Sequence, residues 1–190
     1  MITLTEQRLL DFLDAFNCAT TSQLTKLFYG TKYPYNKSRR RLKILYDNKH
    51  IERERNAVSM EYVYYLRKNN QFKHSLTLTE FYVRLHDLAE IDKFEVEQPY
   101  GHIRPDGMCI CGYRGFTHYF FIEVHISNNR FNQDKYIAYY GSREWKQYFN
   151  IFPKVLIISD KRVEIKTSPL KFIQISQNCE DINKIWGVMF

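Results

Sequence analysis

The sequence predicts an α+β protein in two parts, and three observations carry that prediction. Apolar residues recur at helical spacing three times before residue 50, and a basic, hairpin-like segment follows. From residue 74 onward, helical stretches alternate with short apolar strands, the pattern of helices layered on a central mixed sheet. Between the two, KNNQFK at 68–73 is polar and without periodicity, so it reads as a linker between domains at 1–68 and 74–190.

The first helix is predicted over TEQRLLDFLDAF, with Thr5 as N-cap and Leu9, Leu10, Leu13 and Phe16 along one side. ATTSQLTKLFYG gives a second, shorter helix with a threonine cap, Leu24, Leu27 and Phe28 on one side, and Gly30 as its stop. After the turn TKYPY, the stretch NKSRRRLKILYDNKH carries Leu42, Leu45 and Tyr46 on one face and cations on the others. IERER and EYVYYL then alternate as strands, with NAVSM as the tip of a hairpin. Three helices followed by a hairpin make a winged helix-turn-helix, in which the third helix enters a major groove and the hairpin lies over phosphates.

Charge agrees with that geometry. The chain carries a formal +7, and residues 1–68 hold thirteen Lys or Arg against seven Asp or Glu, an excess of six. Lys37, Arg39, Arg40, Arg41 and Lys43 on the third helix, with Arg53 and Arg55 on the hairpin, are the candidate contacts to double-stranded DNA. The same cluster could be a solvated helix face, and winged helices also dock proteins.

In the second part, HSLTLTEFYVRLHDLAE reads as a helix, and FEVEQPY, MCICGY, THYFFIEVHIS and FPKVLIIS read as strands. An aromatic helix is expected over about 131–149, and two strand-like segments flank Pro169. Trp186 and Phe190 are expected to anchor the C-terminal tail to the core or to a second subunit. Asp106, between Pro105 and Gly107, has good turn chemistry. Glu123, inside the apolar run YFFIEVHI, requires a partner if it is buried. Two carboxylates on neighbouring strands could hold Mg²⁺ or Mn²⁺ through oxygen ligands.

These residues carry a resemblance. Residues 74–160 look like a PD-(D/E)XK nuclease-like, restriction-endonuclease-like core, with Pro105-Asp106 supplying the first acid and Glu123 the second. The order of winged helix, His74, R-P-D-G, F-I-E-V, Lys135 followed by tyrosines, and F-P-K-V-L-I-I resembles the plasmid replication-relaxation proteins. That resemblance implies a bacterial mobile element (plasmid, phage or conjugative element) and a role in replication, DNA relaxation or transfer control. Such nucleases use a lysine two residues after the second acid, and here that position is His125. Lys135 on the next helix is the candidate replacement, with Gln133 and Tyr136 beside it as possible DNA contacts. The expectation is therefore a DNA-binding protein with a degenerate nuclease-like domain. The alternatives are a metal-dependent endonuclease or nickase using Asp106, Glu123 and Lys135 or His125, and a winged-helix repressor whose second domain dimerises. His74 and Glu80 could approach the acids, although a helix cap and a solvated carboxylate are their simpler roles.

Other classes are excluded or bounded. The longest apolar runs are far shorter than the roughly 20 residues of a membrane span, and MITLTEQRLLDFL does not look like a secretory signal. A cytoplasmic location is expected. Cys18, Cys109, Cys111 and Cys179 lack zinc-binding spacing and read as reduced thiols. A single short recognition helix also leads to the expectation of a homodimer on a two-fold DNA site.

Overall fold

The computed structural model describes residues 2–30, 34–57, 59–68, 70–126 and 130–187. Thr31, Lys32 and Tyr33 of the predicted turn, Val58 of the hairpin tip, Asn69 of the linker and Phe190 of the tail lie outside the described residues. The chain is α+β, with five α-helices, a three-stranded sheet and a mixed five-stranded sheet among the described residues. It divides into two compact units, Met1–Val83 and Arg84–Phe190.

In the first unit, α1 spans Leu4–Phe16. Thr3, not Thr5, is its N-cap: the Thr3 hydroxyl accepts from the Glu6 N–H, and the Glu6 carboxylate accepts from the Thr3 N–H. Two donors of the first turn are satisfied by this exchange. Strand β1, Cys18–Thr20, was not expected, because three residues are too short to display alternation. Helix α2, Thr21–Phe28, repeats the capping device with Thr20 and Gln23, and Gly30 follows it at φ 62. Helix α3, Pro34–Asp47, is seated by the buried residues Ser38, Leu42 and Leu45. Ser38 Oγ lies 2.5 Å from Thr25 Oγ1, which ties α3 to α2.

Strands β2, Glu52–Arg55, and β3, Tyr62–Tyr65, form the expected antiparallel hairpin, and the sheet runs β1-β3-β2. β3 alternates: Val63 and Tyr65 pack with Cys18, while Tyr62 and Tyr64 take the other face. Phe72 and Leu76 of α4, Phe72–His86, cover the Val63–Tyr65 side. Thr79 donates to the Cys18 carbonyl, Gln23 Nε2 donates to Glu80, and Tyr82 meets the rings of Phe12 and Phe16. The body of α4 therefore belongs to the first unit, and the division between units falls near its end, at Val83/Arg84, rather than in the 68–73 segment.

The second unit holds β4 Glu90–Val96, β5 Gly107–Tyr113, β6 Phe116–Val124, α5 Asp134–Ser142, β7 Lys154–Ile158 and β8 Phe172–Ile175. The strands lie in sequence order, antiparallel from β4 to β6 and parallel from β6 to β8. Arg114 and Gly115 join β5 to β6 with φ of 50 and 79, the positive values that a tight two-residue hairpin turn requires. The expected helix over 131–149 is broken. Arg143 takes the left-handed conformation at φ 61, which ends α5, and a single 3₁₀ turn, Glu144–Gln147, follows. Only the second of the two segments around Pro169 becomes a strand.

One face of this sheet carries Met108, Phe121, Val155 and Ile157 against Tyr136 and Tyr139 of α5, with Trp145 and Phe149 beyond it. The alternating set, Cys109, Cys111, Phe120, Ile122, Leu156 and Ile158, is also fully buried. Burial of each large apolar side chain contributes about 1.5–3 kcal/mol. All four cysteines are free and buried. Trp186 stacks on Tyr113 at 3.9 Å, which fastens the tail. No described helix is long and apolar enough to cross a membrane.

Candidate functional site

Two groups of residues carry chemistry, one in each unit. In the first, α3 and the hairpin enclose a concavity of about 390 Å³ lined by Asn36, Arg39, Arg40, Lys43, Arg53, Tyr62 and Tyr64. Helical rotation of about 100° per residue puts positions 36, 39, 40 and 43 on one broad face, opposite the buried positions 38, 42 and 45. On the hairpin, Arg53 pairs across the sheet with Tyr64 and lies diagonal to Tyr62. Its guanidinium sits 4.3 Å from the Tyr46 ring centroid and 4.2 Å from that of Tyr62. Arg55 reaches the Tyr62 ring from 5.6 Å, and Arg39 reaches Tyr35 from 5.8 Å.

Among the described residues no acidic side chain lines the concavity. Lys43 is bridged to Asp47 one turn along, at 2.5 Å, and both ends of that pair are exposed. Lys37 is exposed but does not line the concavity. Arg41 differs from its neighbours on α3. Its Nε donates to Glu6 Oε1 at 2.8 Å and a terminal nitrogen lies 2.5 Å from the same oxygen, so Arg41 fastens α3 to α1. The Glu6 side chain is only 2% exposed. Burial works to raise its pKa, but the Thr3 N–H and hydroxyl and the Arg41 guanidinium outweigh burial and hold the carboxyl below its ordinary value. Sequence reading grouped Arg41 with its neighbours because its partner is 35 residues away. Sequence alone does not signal Tyr46, whereas the antiparallel register of the hairpin brings Tyr62 diagonal to Arg53.

In the second unit, Gly107 pairs with Ile122, so the antiparallel register brings Asp106 opposite Glu123. Asp106 Oδ2 accepts from the Val124 N–H at 2.7 Å. Glu123 Oε1 accepts from Lys135 Nζ at 2.6 Å and from the Tyr136 hydroxyl at 2.5 Å. The Glu123 side chain is 15% exposed; burial and then the Asp106 charge raise its pKa, against the pull of Lys135 and Tyr136. Burial, and then Glu123, push the Tyr136 hydroxyl well above its ordinary range, so it stays a donor.

Asp106, Glu123 and Lys135 thus come together, and His125 does not join them. Its backbone N–H bonds the Ile158 carbonyl, and its ring stands edge-on to Phe131 at 6.0 Å. Tyr136 and Gln133, expected as DNA contacts, are buried, so neither presents a surface to a duplex. Gln133 Oε1 accepts from the Lys166 N–H at 2.8 Å, while its Nε2 has no partner among the described residues. His74 and Glu80 lie on α4, where Glu80 accepts from Gln23.

The donor set bears on a metal. Mg²⁺ accepts one or two carboxylates and keeps waters or phosphate oxygens for the rest of its shell. Asp106 and Glu123 fit that minimum, and among the described residues no third His, Cys, Asp or Glu joins them. An ammonium already on Glu123 Oε1 reduces the negative charge offered to a cation.

Set beside known proteins, the chain matches no family model, no curated protein and no solved structure.

Proposed function

We propose that this is a DNA-binding protein of a bacterial mobile element, contacting double-stranded DNA through its first unit and acting in replication, relaxation or transfer control of that element. One observation carries the DNA-binding reading: Arg39, Arg40, Lys43 and Arg53, from two separate elements, converge on one concavity with no acid among its described lining residues. Such a concentration of cations attracts a polyanion and is relieved by it. The order α1-β1-α2-α3-β2-β3 and the antiparallel hairpin support the winged-helix interpretation. The mobile-element assignment rests on the motif order in the sequence.

A band-shift or anisotropy titration with duplex DNA tests this reading, comparing the wild type with an Arg39→Ala/Arg40→Ala variant. The expected result is salt-dependent binding that the variant loses while its circular dichroism is unchanged. Equal affinity of the two proteins would end the assignment.

A second reading, a Mg²⁺-dependent nuclease, is favoured by the Asp106–Glu123–Lys135 cluster. Asp106 and Glu123 would hold the ion, which would supply charge stabilisation at a phosphodiester. Lys135 would place a positive charge beside them. With Lys135 bonded to Glu123 and no third acid among the described residues, absent or weak cleavage is expected. Supercoiled-plasmid nicking in Mg²⁺ and in Mn²⁺, beside Asp106→Ala, decides between the two; robust nicking lost in the variant would establish catalysis.

A further inference from the structure

The Tyr46–Arg53–Tyr62 stack gives the concavity a more specific role. A long cationic side chain on a hairpin ordinarily samples many rotamers, and ordering it on binding costs free energy. Arg53 is already ordered, its planar guanidinium held at 4.3 and 4.2 Å from two ring centroids. Its position also faces the α3 cations across one concavity. Both tyrosine faces turned to Arg53 are covered by the guanidinium, so they are not open as platforms for a base. Among the described residues the lining offers four cations, each able to meet a phosphate oxygen, and one amide, Asn36; comparing two duplexes distinguishes phosphate contact from guanine readout by the arginines.

We infer that the α3–hairpin concavity is a phosphate cradle, in which Arg53 is a pre-ordered phosphate ligand and Tyr46 and Tyr62 are its positioning residues. Arg39 and Arg40 then serve the DNA backbone rather than base edges, so the cradle fixes the register of the protein on a duplex without selecting its sequence. This inference rests on the proposed DNA binding. A lysine at position 53 would keep the charge but lose the planar fork and the stacking that define its geometry.

The experiment measures anisotropy with two duplexes of unrelated sequence over a salt series, using the full chain. Arg53→Ala is expected to bind both duplexes about 10- to 100-fold more weakly, with a salt slope shallower by about 0.9 and the affinity ratio between the duplexes unchanged. Arg53→Lys and a Tyr46→Leu/Tyr62→Leu variant are expected to lose affinity with the slope retained, because the charge remains. Tyr46→Phe/Tyr62→Phe keeps both rings and is expected to restore wild-type binding. An altered ratio between the duplexes for Arg53→Ala would show base readout and overturn the cradle. Wild-type affinity of the leucine variant would overturn the positioning role. Inorganic tripolyphosphate at matched ionic strength forms a second arm. Displacement of DNA by it, dependent on Arg53 and at concentrations below those of the DNA, would assign the cradle to a free polyphosphate instead. Absence of any binding by the wild type would remove the functional reading itself, a result distinct from all of these.

Discussion

Arg41→Ala separates a structural cation from those proposed to contact DNA. Truncation leaves Glu6, 2% exposed, with Oε1 stripped of its guanidinium, while Oε2 keeps the Thr3 N–H at 2.8 Å and the Thr3 hydroxyl at 2.9 Å. Breaking a fully buried ion pair costs about 3–5 kcal/mol. Arg41 is 35% exposed, so water can follow into its place, and half of the carboxylate stays bonded. The expected cost is therefore lower, about 1.5–3 kcal/mol at pH 7. The pH dependence follows from the lowered pKa of Glu6. A depressed carboxylate contributes stability above its unfolded pKa and loses it as pH falls through the folded value. In the variant the desolvated carboxylate has lost its counter-charge, so the penalty is largest near neutrality and shrinks with falling pH as Glu6 takes up a proton. Urea unfolding followed by circular dichroism at pH 7 and at a series of lower pH values measures both quantities, with each transition fitted separately because the chain has two compact units. Under native conditions the variant should bind duplex DNA within about threefold of the wild type. A loss below about 0.5 kcal/mol, combined with a clear drop in DNA affinity, would refute the assignment and return Arg41 to the binding surface.

Other outcomes follow from the same geometry. Glu123→Gln removes a carboxylate with a raised pKa, whose stabilising contribution is complete below its ordinary value and is lost as pH rises through the folded one. The melting temperature of the variant relative to wild type should rise between pH 4 and 7, and a falling difference would show that the Lys135 pair dominates. Gly101→Ala should destabilise the second unit by about 1–2 kcal/mol, since Gly101 has φ +60 and an added Cβ would meet the Glu144 carboxylate; an unchanged denaturation midpoint would contradict this. The four buried thiols should be unreactive towards a disulfide reagent in the native protein and all titrate after denaturation; rapid native labelling of Cys109 or Cys111 would show that their face of the sheet opens. Light scattering is expected to give a dimer on a two-fold DNA site, and a monomer both free and bound would remove that expectation.

The parts legible in sequence were those written in local periodicity. Leu9, Leu13 and Phe16 announce α1, and YFFIEV announces the central strand of the larger sheet. The two acids were also legible, because a charge inside an apolar strand demands a partner and Asp106 borders the neighbouring strand. What escaped depends on distant chain segments. Glu6 and Arg41 meet across 35 positions, Arg53 finds Tyr46 only after the hairpin folds back on α3, and α4 reads as the start of a second domain because its Cys18 and Gln23 partners lie far upstream. The break after α5 was hidden because Arg143, not glycine, adopts the left-handed conformation. Lys135 was named as a substitute on proximity in sequence, and the fold joins it to Glu123 through a helix that returns over the sheet.

The two-residue turn Arg114–Gly115 acts as a ruler for the distant acids. Every β5–β6 pairing is counted from that tip, beginning with Tyr113 opposite Phe116 and running on to Gly107 opposite Ile122. One inserted residue there would slide β6 by a single position and turn its side chains over. Glu123 would then leave the layer it shares with Lys135 and Tyr136 for the one occupied by the cysteines, and Asp106 would face an apolar neighbour. A loop tip on this protein is therefore not a neutral place for length variation. It is the point at which the alignment of two carboxylates, some eight residues away along each strand, is written into the chain.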